Sequence, residues 1–144
     1  MADNFTKRVH WSFWAIAFFG LLWNIGGSIN YIMQTDLDFV SSLPATHKAI
    51  IEGRPFWATG GFGIGVFGGS IGCLLLLFRK YASLYVFILS LVGIFVTMIH
   101  TTNVARSTPA FTFTEMFIMI ALPIIVAAIL IWYTLITRRK GWIS

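Results

Sequence analysis

The sequence predicts an all-α membrane protein, built as an up-down bundle of four transmembrane helices with a short amphipathic interfacial helix between helices 1 and 2. Three observations support this fold class. Of the residues, 58% are hydrophobic and only 10% are charged, whereas a soluble domain has about 25% charged residues. The chain has four long apolar segments, and its basic residues cluster at their ends. We therefore expect residues 1–144 to form a single integral membrane domain.

The four apolar segments predict the four transmembrane helices. Each segment has at least about 20 residues, enough for a helix to cross a hydrocarbon core of about 30 Å. Inside lipid the backbone must satisfy its own hydrogen bonds, which favours helices. The predicted helices cover residues of about 11–34, 56–78, 81–102 and 112–137. Pro123 lacks a backbone donor and is expected to kink the last helix, either as a hinge or as packing relief.

The outer loop 35–55, between helices 1 and 2, is amphipathic. Its apolar residues recur at roughly helical spacing among charged ones, and Gly53 with Pro55 supplies a stop. This pattern predicts one or two short helices lying on the outer interface. They serve either as a structural cap over the bundle or as a gate over a pocket.

The basic residues predict the orientation of the bundle. Seven lie on the side that carries both termini: Lys7, Arg8, Arg79, Lys80, Arg138, Arg139 and Lys140. Three lie on the other side: Lys48, Arg54 and Arg106. The excess of basic residues predicts that both termini are cytoplasmic. Because the basic residues sit in short clusters at helix ends and form no continuous stripe, we expect no nucleic-acid partner.

Residues 60–72, GGFGIGVFGGSIG, hold seven of the thirteen glycines of the chain. They match the nucleotide fingerprint G-x-G-x-x-G, but they lie inside an apolar run with no acidic residue about 20 positions further on. The spacing is instead that of successive G-x-x-x-G patterns, which give a helix a face for close packing. The predicted helix-packing residues are Gly61, Gly65, Gly69, Gly68 and Gly72. Their expected partner is helix 1, or helix 2 of a second copy.

Polar side chains within the membrane-spanning segments form the candidate site, because polar groups in hydrocarbon are costly. The topology brings several of them to the outer side, where we expect a polar pocket beneath residues 35–55. The candidate ligand-binding residues are Asn24, Tyr31, Gln34, His100 and Glu115. Structural roles are open for three of them. Asn24 could form a hydrogen bond between helices, and His100 could make a contact at the membrane interface. Glu115 could interact with the positive end of a helix dipole.

The sequence shows no catalytic arrangement. It has no paired carboxylates within the bilayer, no Ser/His/Asp set and no Cys/His cluster. Its three histidines lie at scattered depths, and Cys73 is the only cysteine. We therefore expect no catalytic residues, no metal, no cofactor and no enzyme activity.

Three stretches carry a resemblance to known proteins. They are GLLWNIGGSINYIMQ at 20–34, SLPATHKAIIEGRPFWATGGFGIGVFGGSIGCLLLLFRK at 42–80 and RRKGWIS at 138–144. The chain resembles a family of small four-helix bacterial inner-membrane proteins of similar length, mostly uncharacterised and loosely labelled "sugar transporter". The resemblance implies a multi-pass protein of the bacterial inner (cytoplasmic) membrane. It implies no functional residues.

Two functions from different classes are consistent with these observations, and a lipid-binding role is a third option. The first is small-solute binding or transport through the outward-facing polar pocket. Four helices barely enclose a translocation path, so this function predicts a homo-oligomer. The second is a non-catalytic accessory or assembly subunit of a larger membrane complex, docking on a membrane protein partner through the glycine-rich helix 2. Membrane lipids are expected partners in both cases.

Overall fold

The computed structural model describes residues 8–144, which form helices and turns with no strand among them. Four helical spans are long and apolar enough to cross a membrane: Trp11–Met33, Phe56–Leu77, Ser83–Ser107 and Phe113–Arg139. Large apolar side chains such as Phe19 and Trp132 are exposed on the outside of the bundle, where lipid can cover them. The predicted helical membrane bundle is confirmed. Lys7 of the predicted basic cluster lies outside the described residues.

We number the α-helices in chain order. The first half contains α1 (Trp11–Met33), α2 (Leu37–Ser42), α3 (Ala45–Glu52) and α4 (Phe56–Leu77). The second half contains α5 (Ser83–Ser107), α6 (Phe113–Met116), a π-helical turn (Phe117–Ala121) and α7 (Leu122–Arg139). We call α2 and α3 together the cap, and the side of the bundle that they cover the cap face. The opposite side, which carries the C-terminus and the turn between α4 and α5, is the terminal face.

The cap consists of two short helices because a proline divides it. Leu43 has an extended backbone with ψ of 157°, as expected for the residue before Pro44. Asp36 begins α2 by accepting hydrogen bonds from the backbone N–H of Asp38 and Phe39, at 2.9 and 3.3 Å. These bonds satisfy donors that the first turn of a helix leaves free. The pattern within residues 35–55 therefore folded as two helices.

Helix α5 is longer than its sequence pattern predicts. The expected end was near residue 102, whereas the helix continues to Ser107. The extra turn is polar, but Ala105 within it is buried. The Ser107 hydroxyl also donates to the Asn103 carbonyl at 2.9 Å. Neither the burial of Ala105 nor this hydrogen bond is visible in a hydropathy pattern.

Helices α4 and α5 form the closest helix pair, and their backbones contact each other where Gly61 faces Gly93. A Cβ built on Gly61 would stand 2.8 Å from the Gly93 carbonyl oxygen, and one on Gly93 would stand 2.6 Å from the Gly61 carbonyl oxygen. Beside this crossing, the Ser90 hydroxyl donates to the Gly65 carbonyl at 2.5 Å. The main partner of the glycine row is thus α5 of the same chain, and not helix 1 as the sequence predicted. The reason is Gly93, a lone glycine that completes the crossing from the other side.

The other three predicted packing glycines of α4 divide between two neighbours. Gly68 approaches Ser90 and Gly72 approaches Phe87, both on α5. Gly69 alone approaches Asn24 of α1. The expected contact with helix 1 is therefore present at one position of the row.

The half of the bundle nearer the terminal face is closed by an apolar core. Its members come from all four spans and from the C-terminal tail: Phe13, Ala17, Cys73, Leu76, Phe87, Leu130, Tyr133 and Ile143. The tail is tied to the turn between α4 and α5 by two backbone hydrogen bonds. Tyr81 N–H donates to the Ser144 carbonyl at 2.9 Å, and Ser144 N–H donates to the Arg79 carbonyl at 3.0 Å.

Candidate ligand-binding cavity

The half of the bundle nearer the cap face is not filled. A cavity of about 710 Å³ lies between α1, α4, α5 and the last span, beneath the cap. Small-molecule sites have about 300–1,000 Å³, so its size is that of a binding pocket. The cavity extends from Gln34, at the end of α1, to Trp23 on the same helix. This distance is eleven residues, or about 16 Å along a helix.

Two of the five predicted site residues line this cavity. They are Asn24 at its inner end and Gln34 near the cap. The Asn24 amide nitrogen donates to the Gly20 carbonyl at 2.8 Å and lies 3.8 Å from Cys73 Sγ. Asn24 is buried, so it joins α1 to α4 and also forms part of the cavity wall. The structural role and the ligand-binding role proposed for it are compatible.

Gln34 presents an unpaired acceptor. Its amide nitrogen donates to Asn30 Oδ1 at 2.8 Å, and Asn30 also lines the cavity. The Gln34 carbonyl oxygen Oε1 is buried and has no hydrogen-bond partner within residues 8–144. Because an unpaired buried acceptor costs about 1–3 kcal/mol, a donor from a ligand or from water would be stabilised there.

Tyr31 does not line the cavity. Its ring packs edge-on against Phe62 and Phe67 of α4, with centroid distances of 5.5 Å to each. Gly63 also lies beside this ring. Tyr31 therefore belongs to an aromatic contact between α1 and α4, and any binding role for it stays a prediction.

His100 also lies outside the cavity wall and contacts the cap. Its Nε2 is 3.0 Å from the carbonyl oxygen of Ile50 in α3. Because a carbonyl only accepts, the proton must be on Nε2. The ring is buried and packs edge-on against Trp57, with a centroid distance of 6.4 Å. His100 thus fixes the second turn of α3 to α5.

Glu115 fixes the first turn of α3 from the other side. Its Oε1 accepts from the Thr46 hydroxyl at 3.0 Å. Its Oε2 accepts from the Thr112 N–H and hydroxyl, at 2.9 and 3.0 Å. The Thr112 hydroxyl in turn accepts from the Glu115 N–H, which completes a capping box at the start of α6. Predicted as neighbours in one pocket, Glu115 and His100 instead bind two successive turns of the cap.

Arg54 is a lining residue that the sequence interpretation did not single out. It lines the cavity just before α4 begins, and the sequence pattern showed it only as one of three basic residues on its side. Its Nε donates to the Thr59 hydroxyl at 3.3 Å, and its Cζ lies 5.3 Å from the centre of the Phe62 ring. Burial of the guanidinium lowers the pKa of Arg54 from its usual value, partly offset by Tyr31.

Among residues 8–144, no aspartate or glutamate lines the cavity to balance this arginine. Its other polar members lie mainly toward the cap and on α5: Asn30, His47, Thr97 and Thr101. The inner part of the wall is mostly apolar and includes Trp23, Val66, Ile94 and Met119. The cavity is therefore polar and positively charged near the cap and apolar at the depth of the hydrocarbon.

The last span borders the cavity through its irregular segment. The π-helical turn Phe117–Ala121 directly precedes Leu122 and Pro123. Pro123 has no N–H, so a carbonyl of the preceding turn loses its helical donor. Ile118, Met119 and Pro123 all line the cavity. The predicted disturbance at Pro123 thus takes the form of a π turn, a feature that is frequent at functional sites.

The cavity opens sideways between α1 and the last span. These two elements are close near the terminal half, where Gly20 of α1 approaches Leu130 of α7. Further toward the cap, the lining residues Leu22 and Ile118 on the two sides are 48% and 52% exposed. Both residues belong to membrane-spanning helices, so lipid can contact this side of the cavity wall.

The comparisons with known proteins give no relative. No family model matches the chain, and neither the curated proteins nor the solved structures contain a match. Within residues 8–144 no group of three His, Cys, Asp or Glu side chains is placed to hold a metal ion.

Proposed function

We propose that this integral membrane protein binds a small solute in the cavity beneath the cap. The observation that carries the proposal is the unfilled space of about 710 Å³ in an otherwise packed bundle. Polar groups at one end would orient a ligand, and apolar walls would bury the rest of it. A binding role of this kind requires no catalytic group.

The proposed orientation places the cap face outside and both termini in the cytoplasm. It is supported by the seven basic residues on the terminal side, against three on the cap side. The ligand would then reach the cavity from the outer half of a bacterial inner membrane or from beyond it. Transport would additionally require the apolar core around Phe13 and Leu76 to open, since this core fills the bundle toward the terminal face.

A docking role through the glycine row is the alternative function, and the packing disfavours it. Gly61 and Gly65 approach α5 too closely to admit a side chain. An external helix would have to displace α5 to use this face. An accessory subunit would therefore need another surface.

Filling the cavity tests the binding proposal. Gly26 lines the cavity, and a Cβ built on it has no atom within 4 Å. Gly26→Leu therefore places a side chain in the space without an immediate clash. Gly60→Leu is the matched control, because Gly60 also has no atom within 4 Å but does not line the cavity.

The measurement is native mass spectrometry of each variant, released gently from its own membrane. We expect a small bound mass on the wild type and on Gly60→Leu, and its loss on Gly26→Leu. Retention of the same bound mass by Gly26→Leu would place the ligand elsewhere and refute the proposal. Co-release with stoichiometric foreign subunits and no small mass would favour the accessory function.

A further inference from the structure

We propose that the cavity takes a single-chain amphiphile with an oxyanion head group, bound by Arg54, and with an apolar chain that lies between α1 and the π-helical turn. This inference rests on the proposed binding function and names its ligand class. The shared chemistry is a carboxylate or phosphate on a hydrocarbon chain. Its source is either a free fatty-acid-like molecule or a membrane lipid.

The head-group end is defined by an arginine without an acidic partner. Arg54 uses Nε to bind Thr59, and neither terminal amino group of its guanidinium donates a hydrogen bond to residues 8–144. A guanidinium presents paired donors that match a carboxylate or phosphate. Since no carboxylate of the described residues 8–144 lines the cavity, an anionic ligand would supply the negative charge that this wall lacks.

The tail end is defined by the apolar wall and its opening. Trp23, Met119 and Pro123 line the inner part of the cavity, at the depth of the hydrocarbon. Leu22 and Ile118, lining residues on α1 and on the last span, are about half exposed at the depth where lipid surrounds the bundle. An apolar chain would bury its surface there and enter sideways, without crossing water.

The arrangement of the two ends agrees with the direction of the membrane. Arg54 lies just before α4 begins, and Gln34 lies just after α1 ends, so both are at interfacial depth. Trp23 lies eleven residues further in than Gln34, or about 16 Å along the helix. An amphiphile in this cavity would keep its head group at the interface and its chain in the hydrocarbon, as it does in the bilayer itself. The cavity volume lies within the range of small-molecule sites, which favours one chain over a two-chain lipid.

The test compares two probes with the same chain and different heads. Tritiated oleate and oleyl alcohol are bound to the full-length protein, immobilised in detergent, and measured by scintillation proximity. Arg54→Gln removes the charge, and Arg54→Lys restores it. Arg106→Gln is the matched control, because Arg106 carries the same charge on the cap face but does not line the cavity.

We expect oleate to bind the wild type and Arg106→Gln alike. Arg54→Gln should weaken oleate binding roughly tenfold or more, because it removes one hydrogen bond to a charged group. Arg54→Lys should recover much of this loss, which a purely structural role of the arginine would not predict. Oleyl alcohol should bind more weakly, with no response to Arg54→Gln. Displacement of oleate by single-chain lysophosphatidylglycerol, with the same dependence on Arg54, would support the inference and identify a membrane lipid as the source.

Two other outcomes separate this inference from the function on which it rests. In the first outcome, both probes bind equally, Arg54→Gln leaves their binding unchanged, and Gly26→Leu abolishes it. The cavity then binds solutes, but the oxyanion inference is wrong. In the second outcome, neither Gly26→Leu nor Arg54→Gln changes oleate binding. The probe then binds outside the cavity, and the inference is refuted. In that second case the native mass spectra of Gly26→Leu decide separately whether the binding function stands.

Discussion

The crossing of α4 and α5 gives the most direct test of the packing argument. In Gly93→Ala, the new Cβ would stand 2.6 Å from the Gly61 carbonyl oxygen and 2.9 Å from the Gly65 backbone nitrogen. These atoms belong to the backbone, so no side chain can rotate away. An ordinary contact begins at 3.4 Å, so the helices must separate by about 0.8 Å. A gap of that size forfeits a quarter to a half of the dispersion energy of the contacts.

The expected loss follows from two opposing terms. Alanine in place of glycine favours a helix by about 1 kcal/mol, whereas overpacking costs about 1–3 kcal/mol. Gly60→Ala gains the helix propensity without the overpacking cost, because its Cβ meets no atom of the described residues within 4 Å. We therefore expect Gly93→Ala to be less stable than Gly60→Ala by about 1–3 kcal/mol, the steric term alone.

The assay is equilibrium unfolding by sodium dodecyl sulfate in mixed micelles, followed by circular dichroism. The midpoint of Gly93→Ala should fall below that of Gly60→Ala, and the midpoint of Gly60→Ala should equal or exceed that of the wild type. Gly93→Val should lie lower still. Equal midpoints for Gly93→Ala and Gly60→Ala would refute the close crossing of α4 and α5.

Two further predictions concern the cap and the contact of α1 with α4. His100→Phe removes the donor to the Ile50 carbonyl, a hydrogen bond worth about 1 kcal/mol. Amide hydrogen exchange of α3, measured by mass spectrometry, should therefore accelerate about fivefold. Exchange of α4 should stay unchanged. Unchanged exchange in α3 would show that this bond does not hold the cap. Gly69→Ala would place a Cβ onto the Asn24 amide, so Asn24→Ala should relieve much of its cost. A double-mutant cycle in the same unfolding assay should give a coupling of about 1 kcal/mol or more, and additive effects would contradict the contact.

The sequence predicted the helices well because composition and length decide them. An apolar segment of about 20 residues in lipid must satisfy its backbone hydrogen bonds without water, and a helix does so within the segment itself. Prolines also act locally, so the break at Pro44 and the disturbance at Pro123 follow from the missing N–H and the fixed ring. The polar extension of α5 to Ser107 escaped this reasoning, because the burial of Ala105 within it cannot be read from hydropathy.

The neighbours of each helix face were much harder to predict. The spacing of Gly61 and Gly65 shows that one face of α4 is small, but it does not say which helix covers that face. The decisive residue is Gly93, and a single glycine in α5 has no periodicity to reveal it. In the same way, Arg54 counts in the sequence only as a loop charge, since the fold of the cap decides that it faces the cavity.

The candidate site shows the same limit. Asn24 and Gln34 reach one cavity because they lie on one helix about three turns apart, a relation that periodicity reveals. His100 and Glu115 come from different helices, and similar depth did not bring them to a common pocket. Each instead meets α3, a partner that was predicted only as an interfacial helix without assigned contacts.

Helices α4 and α5 pack more closely with each other than α1 packs with its neighbours. Helices α4 and α5 meet at backbone distance through Gly61 and Gly93, and the cap is bonded to α5 and α6. Helix α1 is held differently, by the terminal core and by contacts such as the Ser28–Ser70 hydroxyl pair at 3.2 Å. A ligand that enters between α1 and the last span therefore need not disturb the α4–α5 crossing. On this argument the glycine row serves stability and the cavity serves binding, so substitutions at Gly93 and at Gly26 should affect different measurements.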